Sequence, residues 1–192
     1  MAMARYLLKS TARQIRVRVL AAIGVFAAIV VTWWMKVEDA RIPDAPPEIA
    51  FGEPVSVGRS VFTPQKLTIK PGREPGERML VLTGLLENVT GATQKAVFGF
   101  PEKLPELSSG DTDFPTPQVN LVRDNYFLKQ LEPRIREAVT IVWKIPQDWQ
   151  EQDVSIKFSA QKFKLNDNLY SKASWLLFYP TGTLSVRPEK AA

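Results

Sequence analysis

The sequence predicts an all-β domain, an antiparallel β-sandwich, preceded by a single transmembrane α-helix. Three observations carry this reading. Residues 19–35, VLAAIGVFAAIVVTWWM, contain no charged residue. From residue 49 onward apolar residues recur at every second position, the period of strands with one buried face. The short apolar runs are separated by Gly, Pro and Asn turns, the punctuation of a sandwich built from many short strands.

The apolar run rises about 26 Å as a helix, close to the hydrocarbon thickness of a bilayer. Arg18 and Lys36 flank it and can extend their charges outward along the helix. In front stand Arg5, Lys9, Arg13, Arg16 and Arg18 with no acidic residue; behind come Lys36, Glu38, Asp39 and Arg41. Basic residues beside a membrane helix stay on the cytoplasmic side, so residues 1–18 are expected inside and residues 36–192 outside. Trp33 and Trp34 then fall at the outer interface, where amphipathic rings lie. A cleaved secretory signal is the competing reading. It requires small residues before the cut, and Trp33, Trp34, Met35, Lys36 and Val37 supply none, so an uncleaved anchor is expected.

The net charge of +5 is a topology signal. Five of the 25 basic residues lie in residues 1–18, leaving 20 basic and 20 acidic in the rest of the chain, so nucleic-acid binding has no support. The chain has no cysteine and no histidine. Disulfides, lipid attachment through an N-terminal cysteine, Ser-His and Cys-His nucleophiles, and thiolate or imidazole zinc sites are therefore all excluded. No cofactor and no catalytic residue is expected.

Four regions follow. Residues 1–18 place Arg5, Lys9, Arg13 and Arg16 on one helical face, expected to rest on anionic lipid; a docking helix for a cytoplasmic protein is the sharper alternative. Within the membrane helix, residues 19–35, the small residues Ala21, Gly24, Ala28 and Thr32 form one stripe at spacings of three, four and four. Such a stripe lets another helix approach closely, which points to a membrane protein partner or a homodimer, although small residues are frequent in membrane helices anyway. Residues 36–48, KVEDARIPDAPPE, read as a proline-rich linker: all 15 prolines lie after residue 42, and Pro43, Pro46 and Pro47 cluster here. Extended, it would reach about 40 Å. Residues 49–192 form the sandwich.

Inside that domain, Val139, Ile141, Trp143 and Ile145 alternate with Thr140, Val142 and Lys144; Val154, Ile156, Phe158 and Ala160 alternate with polar residues. Further strands are expected at 53–57, 66–70, 79–89, 96–100, 119–123, 175–179 and 183–187. Turns are expected at Pro71-Gly72, Pro75-Gly76, Thr90-Gly91, Ser109-Gly110, Asn166-Asp167 and Thr181-Gly182. The segment 120–131 and the region after Phe163 are ambiguous.

The order GLLENVT (84–90), VNLVRD (119–124) and LEPRIREAVTIVWKIPQD (131–148) resembles the immunoglobulin-like extracytoplasmic domain of a widespread bacterial family of unknown function. Those domains follow a lipoprotein signal or a membrane anchor and are similar in fold to a secreted mycobacterial immunoprotective antigen. The resemblance covers roughly residues 50–160 and implies an immunoglobulin-like strand arrangement in a periplasmic domain held at the bacterial inner membrane. It brings no catalytic residues, and the missing cysteine leaves only the anchored version.

Individual candidates are few. Asp111-Thr-Asp113 opens like a calcium loop, but the sixth and twelfth positions are Thr116 and Val122 instead of Gly and Glu, so a polar turn is expected. Asn88-Val-Thr90 fits a glycosylation sequon, and more simply a strand end capped by its side chains. Trp149, Tyr126 and Phe127 lie in polar loop sequences and are the candidate ligand or partner contacts, against the plainer reading that such rings plug the end of a sandwich. Trp143 and Trp175 are expected in the core. The favoured function is an accessory or scaffolding subunit of a cell-envelope complex such as a transporter or secretion machine. A membrane-anchored glycan or envelope-polymer binding module is the alternative, and an enzyme the least supported class.

Overall fold

The computed structural model describes residues 2–40, 45–72, 74–166 and 171–190, with the side chains of residues 2–15, 17, 39, 40 and 113 left aside. It contains two compact units, Met1–Ile42 and Pro43–Ala192. The first is one helix, α1 (Ala2–Ala40). Its segment Arg18–Glu38 is long and apolar enough to cross a membrane, and each of its described side chains is exposed. The helix runs through residues 36–40, five positions into the stretch read as linker; no proline or glycine precedes residue 43 there to stop it. Pro43 and the basic side chains Arg5, Lys9 and Arg13 lie outside the described residues.

The second unit is an antiparallel β-sandwich of ten strands among the described residues: β1 (Val55–Val57), β2 (Ser60–Pro71), β3 (Arg78–Glu87), β4 (Glu106–Ser109), β5 (Thr112–Asp113), β6 (Gln118–Leu121), β7 (Arg136–Lys144), β8 (Val154–Lys164), β9 (Ser174–Val186) and β10 (Glu189–Lys190). One sheet runs β1-β2-β3-β7-β6, with β10 added in parallel to β2; the other runs β5-β4-β8-β9. The run β2-β3-β7-β6 facing β4-β8-β9 is the A-B-E-D against C-F-G order of the immunoglobulin fold, with β5 as an added edge strand.

The period-two sequences explain the layers. On β3, Leu80, Leu82 and Leu86 point inward and on β7 Val139, Ile141 and Trp143 do so; from the facing sheet β8 sends in Val154, Ile156 and Phe158. Phe62 and Phe158 meet across the sheets with ring centroids 5.9 Å apart. Each fully buried large side chain contributes about 1.5–3 kcal/mol by leaving water.

The chain is bound to the sandwich before β1. Residues 47–49 lie parallel to β9: the Ile49 amide donates to the Thr183 carbonyl and the Thr183 amide to the Pro47 carbonyl, both at 2.9 Å. This strap covers part of the free edge of β9, so ordered sandwich structure begins inside the last residues read as linker. The strap runs in the direction of β9, away from the lead-in end where β9 starts, and meets that strand at Thr183, nine residues along. That lead-in end carries the connections 58–59, 88–105, 122–135 and 165–173; the far end carries 72–77, 110–111 and 145–153.

Three expected elements differ. Residues 96–100 form turns instead of a strand: Gly99 has φ +88° and Pro101 follows, yet Val97 and Phe98 are buried. Residues 175–179 and 183–187 merge into one strand, β9, because Gly182 sits inside it. The methyls of Ile49 and Val55 lie 3.1 Å from where a Cβ would stand, so this glycine serves close approach and not a turn. The pair β4 and β5 had gone unexpected.

Candidate functional site

On α1, Ala21, Gly24, Ala28 and Thr32 are exposed, and no atom lies within 4 Å of a Cβ built on Gly24. The Thr32 hydroxyl donates to the Ala28 carbonyl at 2.7 Å, satisfying its polarity within the helix and leaving its methyl outward. Beside this stripe a shallow groove is lined by Val25, Ala28, Ile29, Thr32, Trp33 and Lys36. Trp33 and Trp34 are both exposed.

Tyr126 and Phe127 are exposed, 73% and 60%. They follow a turn in which Asn125 takes φ +58° and its amide donates to the Leu121 carbonyl at 2.9 Å. The chain then doubles back along β6, with Leu121 donating to the Tyr126 carbonyl (2.8 Å) and Leu128 to that of Val119 (3.0 Å). This places Phe127 at the edge of a groove of about 450 Å³ on the outer face of the sheet, where the amides of Gln118, Asn120 and Asn125 meet Val81 and Val142. Lys144, at the same groove, pairs with Glu77 at 3.0 Å. The hydrogen bond from Lys144 to Glu77 and the attraction of that carboxylate hold the lysine above its ordinary value.

Trp149 requires a correction as a contact residue. It is 4% exposed and its ring meets Phe114 edge-on at 5.7 Å, closing the far end of the sandwich. Its carbonyl accepts from the Arg78 guanidinium at 2.8 Å. The polar letters around it belong to a loop that folds the ring inward. Trp143 is in the core as expected, but Trp175 is only half-buried: it packs on Phe163 at 5.0 Å, and the Arg59 guanidinium lies over its ring, also at 5.0 Å. Arg59 also donates through Nε to Gln161 Oε1 at 3.0 Å, and burial draws its pKa down. Gln161 in turn clamps Phe100, accepting from its amide (3.1 Å) and donating to its carbonyl (2.8 Å).

Asn88 is fully buried. Its Nδ2 donates to the carbonyls of Ala92 (2.8 Å) and Leu131 (3.0 Å), while its Oδ1 accepts from the Thr90 amide (2.9 Å) and hydroxyl (2.7 Å). The sequon is therefore a turn brace whose nitrogen is fully committed. Asp111 lies in the turn between β4 and β5, exposed. Among the described residues no cluster of three or more acidic side chains is placed to hold a metal. A second groove of about 400 Å³ runs between β4 and residues 114–117, with Trp143 and Phe114 in its wall and Lys103, Glu106 and Lys157 at its border.

One feature escaped sequence reasoning altogether. Among the described residues of the sandwich, most exposed large apolar side chains lie toward the lead-in end, Phe100, Tyr126, Phe163, Leu165 and Leu177 being the most prominent; Phe127 lies beside Asn120 on the outer sheet face, and Phe51 lies elsewhere. The lead-in residues come from two loops and from the adjoining ends of β8 and β9, far apart in sequence, so only the topology assembles them.

No protein-family model and no curated protein matches the chain. Among solved structures it is similar to an uncharacterized beta-sandwich protein from Clostridium difficile 630, at 10% identity and a TM-score of 0.49, over 77% of this chain and 98% of that one. The chain is a β-sandwich with a candidate membrane helix at its N-terminus.

Proposed function

We propose that the chain is a single-pass protein of the bacterial inner membrane, N-terminus inside and sandwich in the periplasm, serving as a non-enzymatic accessory or scaffolding subunit of a cell-envelope complex. The observation that carries this reading is the apolar helix Arg18–Glu38, whose small-residue face Ala21, Gly24, Ala28 and Thr32 is open to a second helix. Either another membrane protein or a second copy of the chain fits that face. The test is Gly24→Leu in native membranes: co-purification with the partner is lost while the sandwich keeps its folded signature. Unchanged co-purification removes the stripe from the argument.

A second reading is favoured by the groove beside Phe127, where an aromatic ring and three side-chain amides converge. This is chemistry suited to a glycan or envelope polymer. Trp149 drops out of it, being buried. Tyr126→Ala and Phe127→Ala then weaken polymer binding in a pull-down; equal binding by both variants counts against the reading.

A further inference from the structure

We propose that the lead-in end of the sandwich rests on the surface of an anionic bilayer, with the exposed side chains of Phe100, Phe163, Leu165 and Leu177 dipping into the interface. This rests on the reading of α1 as a membrane anchor. Two independent observations converge on it.

The first is the distribution of apolar surface. Phe100, Phe163, Leu165 and Leu177 are 76%, 48%, 76% and 86% exposed, and they sit at one end of a domain whose other exposed surface is nearly free of large apolar groups. Gln161 fixes the Phe100 main chain to β8, and Phe163 packs on Trp175, so the cluster is held on paired strands. Aromatic and aliphatic side chains interleaved with lysine are the composition of segments that lie in the membrane interface.

The second is charge. The connections at this end, residues 58–59, 88–105, 122–135 and 165–173, hold seven basic and four acidic residues. Those at the far end, residues 72–77, 110–111 and 145–153, hold one basic and six acidic. The domain is neutral as a whole, so the two ends form a dipole whose positive pole coincides with the apolar cluster. Exposed Lys162 and Lys172 flank the hairpin between β8 and β9. A lysine close to an anionic lipid surface is attracted to it, whereas the acidic far end is repelled.

The absence of cysteine makes the test direct. Full-length chain carrying a single Leu177→Cys labelled with an environment-sensitive dye is reconstituted into phosphatidylcholine vesicles with and without phosphatidylglycerol. A second chain carries the label at Asp111→Cys, at the far end. The expected result is blue-shifted emission at position 177, quenched by nitroxide lipid and stronger with phosphatidylglycerol, and aqueous behaviour at position 111. Lys162→Glu with Lys172→Glu weakens the contact about five-fold per lost lysine. A chain that stays with the vesicles through alkaline wash but shows aqueous emission at 177 overturns the proposal and leaves the anchor standing. A chain washed off the vesicles overturns both. Protection at 177 in native membranes alone assigns the surface to a protein and likewise overturns the proposal.

Discussion

The side-chain nitrogen of Asn88 donates to the main-chain carbonyl of Leu131 at 3.0 Å, joining the end of β3 to the loop before β7 across 43 positions of sequence. With Ala92 and Thr90 completing the set, one amide satisfies two carbonyls, one N–H and one hydroxyl. Asn88→Ala removes four hydrogen bonds that hold this turn to the loop before β7, at about 3 kcal/mol. Asn88→Asp keeps the shape but loses the two donated bonds, and is expected to fall between alanine and the wild type in urea midpoint. A midpoint unchanged by alanine would remove Asn88 as a brace.

Gly58 stands where the chain turns from β1 into β2, with φ +51°. A Cβ there would lie 2.2 Å from the main-chain carbon of Phe98, so the backbone itself must move. The loop amide is committed as well, donating to the Ser159 carbonyl at 2.8 Å. Gly58→Ala is expected to cost more than about 3 kcal/mol, seen as loss of the cooperative thermal transition or a large drop in its midpoint.

Trp149 and Tyr126 are expected to behave oppositely. Trp149→Ala empties a closed site against Phe114 and lowers stability by about 3–5 kcal/mol. Trp149→Phe costs less, since it keeps most of the ring and removes an indole N–H that has no partner among the described residues. Tyr126→Ala, at an exposed site, changes the denaturation midpoint within about 0.5 kcal/mol. The three midpoints measured side by side check the assignment of plug and surface residue.

Lys144 gains its proton affinity from Glu77, so its stabilising contribution is complete below the ordinary lysine value of 10.5 and is lost as pH rises through the raised folded value. Glu77→Gln removes the carboxylate charge and moves the lysine down toward 10.5, with Glu74 left as a smaller attraction, and an NMR titration of its side chain reads this directly. The stability difference between wild type and variant is expected to narrow above pH 10.5.

The helix was legible because residues 19–35 form one uncharged apolar run of membrane-spanning length, and β7 and β8 because their apolar residues keep a period of two throughout. Short elements were less so. On β4 only Leu107 and Ser109 turn inward, so ELSS carries a single apolar residue, and its pairing with β8 rests on long-range register. Trp175 shows another limit: alternation places a ring on a face, but only the tertiary structure supplies Arg59 as its cover. The charge asymmetry between the two ends was written in the sequence, yet it emerges only when the loops are sorted by the end they occupy. The burial of Trp149 among polar neighbours was legible only as one of two alternatives.

The strap of residues 47–49 has a mechanical consequence. A pull on the chain ahead of it acts along the strap's own axis, so the bonds of Ile49 and Thr183 are loaded together in shear and do not unzip one after the other. Gly182 lets Ile49 and Val55 seat against β9, and this contact must slide before the strap can leave. Tension on the chain ahead of residue 47 is thereby carried to the edge strand β9 at Thr183, and the strap does not peel away one bond at a time.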